Sequence, residues 1–388
     1  MNYEHAQELV ANAESLTQLY AALRAENADD EFSEHCYNYY THKKAWSSGT
    51  PAYGLFELTP LCNLDCKMCY VRLSPAQLKG RQLLSTSQWA DIMTQAADAG
   101  LLGAALSGGE CLTYPGFDEL YLLLYNKGVR LSVYTNALLL DEKRVEFFKR
   151  YMPEKIQITL YGHNDDVYER VTGHRVFGRV FENILRACDS GLPVSIAVTP
   201  SKYLGSDSEA LVRFLAEQKL NYSINAGLIT PHEETGRAEE KHDMPVADYI
   251  RLLCLQRELG GGNRPEPCEV ALPEKAKACT DDSPKGLRCG GGHCAYTVDW
   301  QGRMYICTSI DISYAEPLKT GFVKAWDVVK QTALEYPIPA ECEGCAYQKV
   351  SLKCVGHHEA DAPKGHASPR ICEYCREIVR SGLEKLED

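Results

Sequence analysis

The chain has 388 residues, of which 45% are hydrophobic and 24% are charged, so it is long enough for two or three globular domains. Its 41 basic and 53 acidic residues give a net charge of −12, which excludes the broad basic surface typical of proteins that bind nucleic acid or anionic lipid. No stretch approaches the roughly 20 apolar residues of a membrane span, and the start of the chain lacks the pattern of an export signal. We therefore expect a cytoplasmic protein that binds neither nucleic acid nor membrane.

The 17 cysteines are the most informative part of the composition. Disulfides are rare in a reducing cytosol, and the number of cysteines is odd. Metal or iron–sulfur ligation is therefore the leading interpretation of most of these thiols.

Residues 1–26 show the three- and four-residue spacing of an amphipathic helix. We expect this helix to pack on the main body of the protein, with a docking role for a partner as the alternative. The polar, aromatic residues 35–54 then read as a connector, and residues 1–52 form an N-terminal helical extension. The predicted buried face comprises Leu9, Ala13, Leu16, Tyr20 and Leu23.

From residue 53 to residue 229, six short β-rich runs alternate with amphipathic helical segments. Such an alternation, joined by right-handed crossovers, builds a parallel sheet that curls into a partial (β/α)6 barrel resembling a TIM barrel. Ligands are expected at the C-terminal ends of the strands. The predicted helices lie near residues 86–99, 117–126, 141–151, 177–189 and 208–218.

The alternation stops after residue 229. Residues 230–287 read as a bridging region with one helix near residues 246–259. Residues 288–388 hold nearly half of the cysteines among segments too poor in apolar runs for an ordinary core, which predicts a small module held together by metal.

Three cysteines follow the first predicted strand directly, in the sequence LTPLCNLDCKMCY. Cys62, Cys66 and Cys69 are separated by three and two residues, and three thiolates on one tight loop can hold three irons of a [4Fe–4S] cluster while the fourth iron stays open. A zinc site, which normally needs a fourth protein ligand, and unliganded core cysteines are the alternatives.

This arrangement resembles the radical S-adenosylmethionine (radical SAM) superfamily across the six-strand region. The resemblance implies that Cys62, Cys66 and Cys69 bind a [4Fe–4S] cluster whose open iron is chelated by the amino and carboxylate groups of SAM. It also implies that the SGGEC sequence after the second strand contributes to SAM binding through Gly108, Gly109 and Glu110. Glu110 is expected to hold the SAM amino group, because a carboxylate accepts charge-assisted hydrogen bonds from an ammonium.

Other positions match less specific features of the same superfamily. By resemblance, Asn136 and Thr159 contact the SAM ribose or carboxylate, and Tyr70 lies near the cofactor beside the third cysteine. Arg237 in a GRA sequence is a further candidate for the SAM or substrate region, with a solvated surface arginine as the alternative. Tyr161 stands where many members have an aspartate, and Cys111 directly follows Glu110 and could face the cavity; these two are the candidate catalytic residues.

The C-terminal cysteines resemble the subgroup of this superfamily that carries a SPASM domain. That resemblance implies two auxiliary [4Fe–4S] clusters, the first on Cys289, Cys294 and Cys307. The fourth ligand of the first cluster is then His358, Cys375, a substrate atom or nothing. The pairs Cys342/Cys345 and Cys372/Cys375 alone would also suit a zinc ribbon. The ligands expected for the second cluster are Cys342, Cys345, Cys354 and Cys372.

The resemblance implies an enzyme that reductively cleaves SAM to a 5′-deoxyadenosyl radical and abstracts a substrate hydrogen. The expected outcome is oxidation or cross-linking of a ribosomally made peptide or protein, with a one-electron donor such as flavodoxin or ferredoxin. Two alternatives stay open, namely a radical SAM enzyme acting on a small molecule such as a cofactor precursor or sugar, and a non-enzymatic iron–sulfur or zinc regulatory protein.

Overall fold

The N-terminal region of the computed structural model consists of three helices, where the sequence predicted one helix and a connector. The structure describes residues 3–225, 242–260, 286–310, 313–348, 350 and 354–385. The prediction of a single helix over residues 1–26 is wrong because Ser15 accepts a hydrogen bond from Gln18 N at 3.3 Å and so caps a second helix. The three helices are α1 (Tyr3–Asn12), α2 (Leu16–Ala25) and α3 (Asp30–Ser48).

The predicted apolar face of this region is only partly buried. Leu19 and Leu23 are buried, whereas the side chains of Leu16 and Tyr20 are about half exposed. The break between α1 and α2 rotates the second helix, so that the spacing no longer continues along one face. Residues predicted as a connector instead form α3, which begins at the N-cap Asp29.

Within the described residues, the centre of the molecule is a sheet of eight strands in the spatial order β6-β5-β4-β3-β2-β1-β7-β8. Neighbouring strands from β1 to β6 are parallel, which confirms the predicted α/β fold with a partial barrel. The strands are β1 (Tyr53–Glu57), β2 (Gly103–Ser107), β3 (Arg130–Thr135), β4 (Lys155–Thr159), β5 (Val194–Val198), β6 (Tyr222–Ile224), β7 (Ala295–Val298) and β8 (Met304–Tyr305).

The helices between the strands lie close to their predicted positions, because each has a buried apolar face and polar ends. One additional short helix, α7, was missed; Asn164 caps its N-terminus, and Gly173 follows its last residue in a left-handed conformation with φ 77°. The helices of this part are α4 (Thr86–Asp98), α5 (Phe117–Asn126), α6 (Glu142–Arg150), α7 (Asp165–Thr172), α8 (Phe177–Asp189) and α9 (Asp207–Glu217).

The C-terminal segment joins the barrel sheet. Strand β7 pairs in parallel with β1, and β8 pairs antiparallel with β7, so the sheet continues past residue 288. The buried side chains of both parts belong to one apolar cluster. The remaining helices are α10 (Val246–Glu258), α11 (Pro317–Thr320), α12 (Phe322–Glu335), α13 (Val355–Glu359) and α14 (Pro369–Arg380).

Candidate functional site

The loop after β1 gathers the three N-terminal cysteines. Backbone N–H groups point at two of the sulfurs: Leu64 N donates to Cys62 Sγ at 3.4 Å, and Arg72 N donates to Cys69 Sγ at 3.3 Å. Burial, together with the nearby charge of Glu110, raises the pKa of the Cys62 thiol to about 12. Thiolates at this site therefore need a positive charge to stabilise them, and the donor set with its N–H groups suits an iron–sulfur cluster.

Tyr161 lies next to this loop. Its hydroxyl donates a hydrogen bond to the Cys66 thiol, and its ring packs edge-on against Tyr168 with centroids 6.1 Å apart. Burial and the neighbouring Cys66 raise the pKa of the Tyr161 hydroxyl well above its usual range. The structure thus places this candidate residue, as a neutral phenol, beside the predicted cluster ligands.

Glu110 follows β2 and is almost fully buried, with 1% of its surface exposed. Its Oε1 accepts hydrogen bonds from Thr135 Oγ1 at 2.8 Å and Leu112 N at 3.1 Å, and its Oε2 accepts one from Asn136 N at 2.7 Å. Burial raises the pKa of Glu110, although these hydrogen bonds oppose the rise. Because a carboxylate has about four acceptor positions, Oε2 keeps one for a further donor.

Asn136 connects Glu110 to the cysteine loop. Its backbone N–H binds Glu110, while its side-chain Nδ2 donates to Asn63 Oδ1 at 2.7 Å and to Cys62 Sγ at 3.6 Å. The end of β3 therefore holds the carboxylate and the first cysteine in one hydrogen-bonded network.

Gly108 and Gly109 let the end of β2 approach the cysteine loop. A Cβ atom on Gly108 would lie 2.4 Å from Thr59 O, and one on Gly109 would lie 2.4 Å from Leu61 O. Gly109 N and Glu110 N donate to these same carbonyls at 2.7 and 2.9 Å. The close approach observed is therefore to the cysteine loop itself, where the sequence interpretation invoked a ligand.

A second buried carboxylate, which the sequence interpretation missed, lies at the end of β1. Glu57 accepts hydrogen bonds from Tyr70 Oη at 2.8 Å and from Tyr305 Oη at 3.3 Å. Burial raises the pKa of Glu57 from 4.5 to about 7; nearby Asp299 adds to the rise, and Arg303 opposes it. A lone carboxylate within the apolar run GLFELT is the signal that could have indicated this residue.

Three further residues, Thr159, Cys111 and Arg237, were predicted from the sequence as site residues. Thr159 ends β4 and is half-buried. Cys111 is fully buried, and its thiol donates to Tyr134 O at 3.3 Å. Arg237 lies outside the described residues, as do Cys268 and Cys279.

Cys289 and Cys294 lie on either side of a glycine turn before β7. A Cβ atom on Gly290 would lie 3.7 Å from Cys294 Sγ, and one on Gly291 would lie 3.6 Å from Cys289 Sγ. In the β7–β8 ladder, Thr297 is opposite Tyr305. Ile306, the residue before Cys307, reaches the glycine turn, because a Cβ atom on Gly291 would lie 2.7 Å from Ile306 Cγ2.

A histidine from the N-terminal extension reaches this turn. His42 Nε2 on α3 lies 3.4 Å from Cys294 Sγ, and burial lowers the pKa of His42 to about 4. The sequence carries no signal for this contact, because 252 positions separate the two residues.

Three of the cysteines in the last part of the chain are neighbours. Nearby Cys372 and Cys345, after burial itself, raise the pKa of Cys342, so the three thiols lie close together. Cys354 directly precedes α13, and Cys375 is buried on α14.

His358 is one of the predicted candidates for the fourth ligand of the first auxiliary cluster. His358 Nδ1 accepts a hydrogen bond from Ser368 N at 3.0 Å, which leaves only its Nε2 to act as a ligand. Within the described part of the chain, no three His, Cys, Asp or Glu side chains converge as ligands of a single metal ion. A [4Fe–4S] cluster takes each ligand on a different iron, so its thiolates need not converge in this way.

Sequence comparison places a known domain on the barrel. The profile of the radical SAM superfamily matches residues 56–215. Among the helices that the structure describes, none is both long and apolar enough to cross a membrane.

Three curated relatives illustrate the range of similar proteins. The antilisterial bacteriocin subtilosin biosynthesis protein AlbA of Bacillus subtilis is 29% identical over 151 residues, which cover 38% of this chain and 33% of that protein. The AdoMet-dependent heme synthase of Methanosarcina barkeri is 23% identical, with 77% of this chain and 89% of that protein covered. The PqqA peptide cyclase of Rhizobium meliloti is also 23% identical, with 82% and 86% covered. The chain thus spans about a third of the length of the subtilosin protein.

Two solved structures share the fold. Native anSMEcpe with bound AdoMet superposes with a TM-score of 0.68 at 15% identity, covering 86% of this chain and 97% of that one. Streptococcus suis SuiB, bound to its precursor peptide SuiA, gives a TM-score of 0.63 at 19% identity, covering 93% and 83%. At these identities the likeness establishes the fold.

Proposed function

Since residues 56–215 match the profile of the radical SAM superfamily, we propose that this protein is an enzyme that cleaves SAM reductively and modifies a ribosomally made peptide or protein. The observation that carries the proposal is the network joining Cys62 to Glu110 through Asn136. It places a thiol set suited to a cluster beside a buried carboxylate with one free acceptor position, which is what a bound amino acid cofactor requires.

The cysteine loop would hold a [4Fe–4S] cluster through Cys62, Cys66 and Cys69. When bound, the cluster and SAM supply a 5′-deoxyadenosyl radical that abstracts a substrate hydrogen. The protein residues bind and orient the cofactor and exclude water. Glu110 accepts a hydrogen bond from the SAM ammonium on Oε2, and the Tyr161 hydroxyl donates a hydrogen bond to Cys66.

Further residues complete the proposed cofactor site. Gly108 and Gly109 hold the cysteine loop against β2, and Tyr70 anchors its end to Glu57. Asn136 orients the loop through its hydrogen bond to Asn63. Thr159 and Arg237 remain candidate SAM contacts by resemblance alone.

We also propose two auxiliary [4Fe–4S] clusters. The glycine turn between Cys289 and Cys294, with Ile306 packed against it directly before Cys307, supports the first. The proximity of Cys342, Cys345 and Cys372 supports the second, for which Cys354 is the fourth ligand. A zinc ribbon in the last part of the chain is the alternative.

Similar proteins support a peptide substrate. The subtilosin biosynthesis protein and the PqqA peptide cyclase both bear names of peptide-modifying enzymes, and SuiB was solved with a precursor peptide. The heme synthase matches a similar share of this chain as the PqqA peptide cyclase does, so a small-molecule substrate is the second candidate. A flavodoxin or ferredoxin is the proposed electron donor, and the cytoplasm is the proposed location.

The first experiment measures 5′-deoxyadenosine after anaerobic reconstitution with iron and sulfide, with dithionite as the reductant and SAM added. We expect the native protein to form 5′-deoxyadenosine and Cys66→Ala to form none, because two cysteines cannot present the open iron. Cys188→Ala is the matched control, since Cys188 on α8 lies outside every predicted ligand set. Equal product from native protein and Cys66→Ala would overturn the proposal.

The second experiment addresses the substrate. Short peptides encoded by reading frames that adjoin the gene are incubated with the reconstituted enzyme and examined by mass spectrometry. We expect loss of hydrogen mass from one of them in the presence of SAM. Unchanged masses, with SAM cleavage intact, would favour the small-molecule alternative.

A further inference from the structure

Helix α3 of the N-terminal extension packs directly on the turn that carries Cys294. Trp46 stacks on His293 with ring centroids 4.1 Å apart and an interplanar angle of 12°. Trp326 Nε1 donates to Gly49 O at 2.8 Å, and Tyr53 N donates to Cys294 O at 2.9 Å. Cys294 itself has no exposed surface. The extension thus forms one wall of this cysteine turn.

His42 is the polar side chain that this wall presents to the thiol. Its Nε2 lies 3.4 Å from Cys294 Sγ, whereas its Nδ1 has no hydrogen-bond partner among the residues that the structure describes. The ring is held in place by stacking on Tyr53, with centroids 5.4 Å apart. The Cys294 sulfur is therefore the polar atom toward which the fixed ring is oriented.

The direction of this hydrogen bond follows from the chemistry of the sulfur. A thiolate that ligates iron has no proton to donate, so it can only accept. Imidazole Nε2 can carry a proton whether the ring is neutral or charged. With a cluster bound, the contact is an Nε2–H donor to a thiolate acceptor.

On the basis of the proposed function, we propose that His42 donates a hydrogen bond to the Cys294 thiolate of the first auxiliary cluster and raises the reduction potential of that cluster. A donor to a ligand sulfur withdraws negative charge and so favours the reduced cluster over the oxidised one. Residues 1–52 then have a role that the sequence did not indicate: they supply a positioning residue for an electron-transfer centre.

The test measures the midpoint potential of the first auxiliary cluster by redox titration followed by electron paramagnetic resonance. The signal of this cluster is identified as the one lost in Cys289→Ala. His42→Phe keeps the aromatic stacking and removes the donor, so we expect a lower midpoint potential with unchanged iron content. An unchanged potential in His42→Phe would overturn the proposal.

A pair of polar variants separates the hydrogen bond from packing. The amide nitrogen of His42→Gln reaches the position of Nε2 and should keep the potential near that of the native protein. The amide of His42→Asn reaches only the position of Nδ1 and should lower the potential as phenylalanine does. If His42→Phe does not assemble its clusters, the comparison of His42→Gln with His42→Asn tests the hydrogen bond instead. Equal midpoint potentials in these two variants would contradict the proposal.

Two controls complete the design. His5→Phe, on α1 of the same extension and paired with Glu26, should leave the potential unchanged. Pulsed electron paramagnetic resonance could instead detect a nitrogen bound directly to iron, with a signal that disappears in His42→Phe. That result would show that His42 ligates the cluster, and it would overturn the proposal. Iron near four per native chain would instead contradict the auxiliary clusters on which this inference rests, whereas loss of SAM cleavage would contradict the proposed function itself.

Discussion

The Tyr70 hydroxyl donates a hydrogen bond to Glu57 Oε1 at 2.8 Å. Tyr70 directly follows the last cysteine of the loop, and Glu57 is the last residue of β1. Because Tyr305 donates to the other oxygen of the same carboxylate, one buried acid joins the cysteine loop to the strand that precedes Cys307.

The stability of the protein should depend on the ionisation of Glu57. Its pKa rises from 4.5 to about 7 on folding, so between these pH values the unfolded chain loses a proton that the folded protein keeps. The contribution of Glu57 to stability is therefore fully present below pH 4.5 and is lost as the pH rises through 7. The free energy of unfolding decreases by about 3 kcal/mol over this range. Glu57→Gln should remove this loss, and the thermal midpoint of the variant relative to the native protein should increase from pH 5 to pH 8.

The control for this prediction is Glu119→Gln, the same change at an exposed position on α5. It should shift the thermal midpoint equally at both pH values. The groups facing Glu57 are Tyr70, Tyr305, Asp299 and Arg303. If the difference in thermal midpoint between Glu57→Gln and the native protein is the same at every pH, Glu57 does not titrate in this range.

Glu110→Gln should weaken SAM binding. A charge-assisted contact in a desolvated site contributes about 1.5 to 3 kcal/mol, which corresponds to a loss of affinity of roughly tenfold to a hundredfold. The measurement is SAM binding to the oxidised protein, together with an iron assay. Thr135→Val is the control, because it removes a hydrogen bond to the same carboxylate but keeps the charge.

The two variants distinguish cofactor binding from structural support. Thr135→Val should bind SAM nearly as well as the native protein, with iron unchanged. An equal loss of affinity in both variants, or a loss of iron in Glu110→Gln, would show that Glu110 mainly supports the fold.

Gly109→Ala should loosen the cysteine loop. The added Cβ would lie 2.4 Å from Leu61 O, and overpacking of this kind costs about 1 to 3 kcal/mol. We expect a lower thermal midpoint and a loss of about a third of the iron, because one of three clusters is affected. Gly178→Ala on α8, where a Cβ meets nothing within 4 Å, should instead stabilise the helix by up to about 1 kcal/mol. A Gly109→Ala protein with full iron would contradict this account of the loop.

The iron content tests the complete set of clusters. Anaerobically reconstituted protein should bind about twelve irons per chain, four in each of three clusters. Simultaneous replacement of Cys62, Cys66 and Cys69 by alanine should remove about a third. Tightly bound zinc with iron near four would favour the zinc ribbon.

Local patterns predicted much of this molecule correctly. The alternation of strands and helices indicated the parallel sheet, because each element carries its own periodicity. The cysteine loop was recognisable because its three thiols lie within eight consecutive residues. The break between α1 and α2 was missed because the cap at Ser15 interrupts a spacing that otherwise continues.

The interactions that sequence reasoning could not find join distant parts of the chain. Tyr305 binds Glu57 across 248 positions, and His42 meets Cys294 across 252. Both contacts depend on β7 lying beside β1, a pairing that no local pattern specifies. Arrangements of this kind follow from the packing of the whole sheet.

The pairing of β7 with β1 also has a consequence for synthesis on the ribosome. Until residues 295–298 have emerged, β1 is an edge strand whose unpaired backbone groups can pair with another chain. More than three quarters of the protein must therefore be made before the strand that leads into the cysteine loop is covered on both sides. Cluster insertion into that loop would then occur late, on an almost complete chain, and slow translation of the C-terminal part would lengthen the period in which the nascent protein can aggregate.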